Sequence, residues 1–247
     1  MIAHYLGVKM EEKKYSSKNV NHSIKKYIIP ILKENGFSVF TNRNAWRYKP
    51  NTVDVIQFMS YNSFRATILN CTTFSFAINL GVYVKSIPSD IKNNMRLNML
   101  CPDIPFCHLF GYLLKTIEQN ECKTNRIWYI DEKGHNIESV MCDVASVIRS
   151  DALSWFNRLE NLNEIIKLLE NDDKDILVDP VNGRINCPSR NYKIGYIALA
   201  LNDNKLASRS LKKAIDSECY KSEQILNDYQ LALLKSNAEE SDISATQ

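Results

Sequence analysis

The chain has 247 residues, 45% apolar and 24% charged, with a formal net charge of +3. That mixture supports a sizeable buried core and excludes a collagen-like or wholly disordered polypeptide. No apolar run approaches the ~18–20 residues that cross a bilayer, and the opening residues lack the apolar stretch and small-residue cleavage site of a signal peptide. Seven cysteines at irregular spacing form no disulfide framework. They are expected to be buried free thiols in a cytoplasmic protein without a membrane anchor.

In chain order, Ile24, Tyr27, Ile28, Ile31 and Leu32 follow the spacing of one helix face, with Asn21 or Ser23 expected at the cap. Pro30 lacks an N–H and is expected to bend this helix, and Gly36 to end it. Phe37 and Val39, then Trp46 and Tyr48, suit two strand segments joined by the turn Asn42-Arg43-Asn44. A third segment, Val53 to Tyr61, sets Val53, Val55 and Gln57 on one face and Asp54, Ile56 and Phe58 on the other. In the fourth, Thr72 to Ile87, Phe74, Phe76, Ile78, Leu80, Val82 and Val84 share a face, with Gly81 marking a bulge or a close backbone approach. Connections this short make the strands antiparallel neighbours.

A helical half is expected to follow. Pro88 to Leu100 reads as a short helix and Phe106 to Ile117 as another, with Phe106, Leu109, Phe110, Leu113 and Leu114 inward. Arg126 to Ile130 reads as a strand closed by the turn Asp131 to Gly134. Ile137 to Ile148 and Leu153 to Leu169 carry helix stripes, and Asn171 to Asp175 breaks them. Tyr192 to Leu201, Lys205 to Ser217 and Glu218 to Lys235 form a helical hairpin plus one further helix. Their small residues resemble a tetratricopeptide hairpin, but without a second copy no array is implied.

The segments IIPILKENGFSVFTNRNAWRY, VIQFMSYNS and FSFAINLGVYV, with Trp128 in IWYI and Ser154-Trp155-Phe156, resemble the bacterial family catalogued as domain of unknown function 4304. The resemblance spans roughly residues 19–170, and Asn62 to Cys71 departs from its pattern as an inserted loop. It implies a fold and no catalytic residue, and its associations make toxin neutralisation or phage defence the expected setting. The resulting plan is a basic extension at 1–18, an α+β unit at 19–172, a helical tail docked on it at 173–236, and a disordered tail at 237–247. The fold class is α+β, an antiparallel sheet of four or five strands packed with helices.

Chemistry-bearing residues do not form a catalytic signature. Cys101, Cys107, His108 and Cys122 are not paired at the spacing of structural zinc sites, so no metal and no cofactor are expected. A nuclease would use Asp54 with Asp131 and Lys133, yet the latter two also make an ordinary charged turn. No phosphate-binding glycine motif and no strained nucleophile turn are present. Charge is instead polarised: residues 1–100 hold 14 basic and 5 acidic side chains, a net of +9, and residues 101–247 hold 17 and 23, a net of −6. Such polarity suits an acidic partner.

The expected function is non-enzymatic protein recognition, as an immunity, adaptor or regulatory subunit. The partner would be an acidic protein surface, bound through Lys25, Lys26, Arg43, Trp46, Arg47, Tyr48 and Lys49. The alternative is a metal-dependent nuclease or nucleic-acid-binding subunit of a defence complex.

Overall fold

A computed structural model describes residues 15–88, 95–96, 99–122, 124–171 and 187–245. The N-terminal extension lies outside these residues apart from 15–18, as does most of the loop before the tail. Helix α1 (Ser17–Ser23) begins at Ser16, whose backbone N–H is held by the Asn19 side chain, not at Asn21 or Ser23. A π-helical turn, Ile24–Ile28, links it to α2 (Ile29–Glu34). There the Ile29 N–H reaches back five residues to the Ile24 carbonyl, one position ahead of Pro30, which has no N–H to give. Gly36, at φ +85°, ends α2 in the left-handed region.

Five strands follow: β1 (Val39–Phe40), β2 (Asn44–Tyr48), β3 (Thr52–Ser60), β4 (Phe76–Val84) and, after two short strands, β7 (Leu109–Tyr112). They form one antiparallel sheet in the order β1-β2-β3-β4-β7. Between β3 and β4 stands a short helix, α3 (Ser63–Ile68). The two short strands, β5 (Met95–Arg96) and β6 (Met99–Leu100), pair with each other, so the helix expected over Pro88 to Leu100 is not formed there.

The expected helix at Phe106 to Ile117 is also replaced, by β7, where Leu109, Gly111 and Leu113 are buried and Phe110 and Tyr112 are half-buried. That period of two is a strand's, and β4 offered an unpaired edge to receive it. Arg126 to Ile130 shrinks to a single bridge between Trp128 and Phe76.

The sheet's first face is the main core. Ile56, Phe58, Phe76, Ile78, Leu80, Val82 and Val84 share one apolar cluster with Ile24, Ile28 and Leu32, as the matching periodicities predict. Helix α4 (Ile137–Val147) adds Val140, Met141 and Val144, and a second π-helical turn carries it into α5 (Leu153–Arg158). A break before Asn161 separates α6 (Leu162–Glu170), so the expected single helix is two. The buried Asp143 carboxylate accepts from Trp128 Nε1 at 2.7 Å and from Thr116, tying α4 to the sheet margin.

The tail comprises α7 (Pro188–Ala200), α8 (Asn204–Asp216) and α9 (Glu223–Ala245). Helices α7 and α8 close tightly, since a Cβ on Gly195 would lie 2.5 Å from Leu211 Cδ2. Ile194, Ile197, Leu211 and Ile225 join the main apolar cluster. Helix α9 runs on to Ala245, so most of the expected disordered tail is helical.

Phe76 is fully buried, stacked on Trp128 with ring centres 6.0 Å apart and edge-on to Phe58. Replacing Phe76 with Ala should cost about 3–5 kcal/mol in unfolding free energy measured by urea titration. A change below about 1 kcal/mol would show that this ring is not packed as described.

Candidate functional site

The sheet's second face is covered unequally. Over one half, Trp46, Val53, Val55 and Tyr83 are sealed by Cys101 and Cys107 from the segment preceding β7. The approach is close: a Cβ on Gly81 would meet Cys107 Sγ at 2.5 Å, so glycine is required there by contact and not by a bulge. His108 accepts from the Val84 N–H at Nδ1, 2.9 Å, which requires neutral imidazole. Burial, helped by Lys193, holds its pKa down to about 3.

Over the other half the cover is only partial. Asn62 caps α3 by accepting from the Arg65 N–H at 2.9 Å, and Asn70 ends the turn at φ +50° while donating to the Glu121 carbonyl. Helix α3 buries Ala66 and half-buries Leu69, whereas Phe64 and Ile68, one turn apart, are 73% and 66% exposed. Beneath them the sheet contributes Met59, Tyr61, Ala77 and Asn79, and a facing loop adds Thr124, Arg126 and Ile127. Together they enclose a groove of about 560 Å³.

The charged lining is Arg65 and Arg126, with no carboxylate among the described residues. The Arg126 guanidinium lies 3.5 Å from the centre of the Tyr112 ring. Burial and the neighbouring thiols of Cys71 and Cys122 push the Tyr61 hydroxyl up to about 12, with both arginines offsetting part of the rise. Its phenol is therefore protonated at neutral pH. Chemically, the groove offers apolar surface and two cations, a combination for binding amphipathic anions.

The residues expected to form an interface are not brought together. Neighbouring positions on β2 point to opposite faces. Trp46 is fully buried on the second face and donates to the Pro102 carbonyl at 2.8 Å, while Tyr48 there meets Cys101 Sγ at 3.2 Å. Arg47 is buried on the first face against the Phe37 and Phe156 rings, donating to Asp54 at 2.8 Å and to the Asn35 carbonyl. The Lys49 ammonium bridges Asp54 and Glu160 and donates to the Phe156 carbonyl. Arg43 is half-buried in the β1–β2 turn, and of the set Lys25 and Lys26 are exposed on the π-helical turn. An Arg47→Glu exchange would bury two carboxylates together.

The suggested nuclease carboxylates are likewise occupied. Asp54 is fully buried, and burial raises its pKa against the pull of Arg47 and Lys49. Asp131 accepts from the Lys133 and Asn136 backbone N–H groups and so orders its own turn. Among the described residues no three His, Cys, Asp or Glu side chains converge on a metal position. Cys101 and Cys107 share the sealed half of the sheet and Cys122 lies under α3.

Sequence reasoning passed over Phe64, Ile68 and Arg126. Their signal was present in the Asn62 cap and the i, i+4 spacing of Phe64 and Ile68, inside the stretch read as an inserted loop.

Removing Arg47 would leave Asp54 buried beside Lys49 alone. Arg47→Ala should destabilise by about 3–5 kcal/mol in denaturant unfolding, with Arg47→Met milder because it keeps the packing against Phe37 and Phe156. Equal stability of wild type and Arg47→Ala would refute a buried pair.

A family model described as a domain of unknown function, DUF4304, matches residues 28–158, which is more than half of the chain and contains the whole groove. No curated protein and no solved structure matches the chain. No helix among the described residues is long and apolar enough to cross a membrane.

Proposed function

The chain belongs to the DUF4304 family, and we propose that it works as a protein-recognition subunit through the groove beneath α3. The observation that carries this reading is the exposure of Phe64 and Ile68 at 73% and 66% beside an incompletely covered sheet face. Large apolar side chains held outward on one helix turn above a groove mark an interaction site more often than isolated surface residues do. Partner binding would remove both from water, and burying a Phe or Ile side chain fully is worth about 1.5–3 kcal/mol. The protein partner presents an acidic surface, because the lining carries arginines and no carboxylate among the described residues. Immunity, adaptor and regulatory subunits all work by such recognition.

The test is site-specific photocrosslinking in the native host. Benzoylphenylalanine at position 64 should give one discrete protein adduct, abolished when Ile68→Asp is added. The same label at Lys212, on the exposed side of α8, should not give it. Because both groove residues are exposed, unfolding midpoints should be unchanged. Identical adducts from positions 64 and 212, or an adduct to nucleic acid alone, would contradict the reading.

A further inference from the structure

We infer that the groove selects an acidic–apolar segment of its partner, in which a large apolar side chain lies against Met59, Phe64 and Ile68 and a nearby carboxylate meets Arg126. This inference rests on the recognition role proposed above and adds the chemistry of what is recognised. A groove of about 560 Å³ holds more than one side chain, so a short peptide segment fills it better than a single anchor residue. Arg126 stands at its wall, half-buried, with its guanidinium stacked over the Tyr112 ring at 3.5 Å. Stacking on a ring face fixes the guanidinium plane and hence the direction of its in-plane N–H donors.

A guanidinium carries five donors, enough to take a carboxylate in addition to an internal partner. That arrangement reads planar carboxylates as a pair of parallel hydrogen bonds, which an amide cannot match because half of its polar atoms donate. Arg65, exposed on α3, adds a second positive charge on the same groove. A cationic segment would therefore meet two like charges.

Three displayed libraries of 12-residue peptides separate the possibilities. All place Leu, Ile or Phe at the same positions, and the intervening positions carry Asp/Glu, Asn/Gln or Lys/Arg. Each is selected on full-length wild type, on Arg126→Gln, on Arg126→Lys and on the double variant Phe64→Ser with Ile68→Ser. Circular dichroism and unfolding midpoints certify that each variant is folded.

On wild type, acidic peptides should be enriched about 10-fold over their amide counterparts, the gain of one charge-assisted contact. That preference should vanish on Arg126→Gln and shrink on Arg126→Lys, which keeps the charge and loses the fork. Equal enrichment of acidic and amide peptides, or a preference for basic ones, would overturn the inference while leaving groove recognition standing, provided capture still needs Phe64 and Ile68. Capture that persists on the double variant, or none from any library, would overturn the recognition role as well.

Discussion

Strand β4 carries an unbroken apolar row on one face that must be covered, and the rest of the molecule is arranged around that constraint. Its nine residues pair with β3 on one flank, and Asn79 to Val82 pair with β7 on the other, so it is an interior strand of the sheet. On the first face Phe76, Ile78, Leu80, Val82 and Val84 are buried against helices from both ends of the chain, including the tail through its shared apolar cluster. A central strand exposes no backbone edge, and its stability comes from what covers its faces. Among the described residues, the second face has no helical layer of comparable extent. The segment before β7 folds down onto half of it so closely that only a glycine fits at position 81. The other half is left to one short helix, α3, and a loop.

This uneven cover links architecture to recognition. Where a sheet face is sealed, alternation converts aromatic and basic residues of β2 into structure: Trp46 and Tyr48 go under the second-face cover and Arg47 and Lys49 under the first. Burying Arg47 and Asp54 is tolerable because the guanidinium also reaches the Asn35 carbonyl and packs against two rings, while Lys49 extends to the half-exposed Glu160. Burial of such a pair contributes little net stability, but it fixes which face of β2 meets α5. Where the face is not sealed, apolar residues remain exposed to solvent and two arginines flank them.

Much of the fold was legible in the sequence because period and punctuation agree. The run from Phe74 to Val84 alternates without ambiguity, and its inward set is the one found in the core. Ile24, Ile28 and Leu32 keep a helical period even through the π-helical turn that accommodates Pro30. The run from Phe106 to Leu114 was misread because its apolar positions fit a helix face and a buried strand equally well. The vacant edge of β4, a tertiary fact, decided it. The interface residues were misassigned for a related reason. Composition marks arginine beside tryptophan as a binding mixture, yet on a strand the two side chains part to opposite faces, and here both faces are covered. The groove escaped notice because α3 is six residues long, too short for periodicity to register above its polar surroundings.

The most direct test of this account is hydroxyl-radical footprinting of the purified full chain, read residue by residue by mass spectrometry. Phe64 and Ile68 should be oxidised at rates typical of exposed side chains, with Phe58, Phe76 and Trp46 almost untouched. Protection of Phe64 comparable to that of Phe76 in the isolated protein would contradict the account, because the second face of the sheet would then be closed and no groove would be available to a partner.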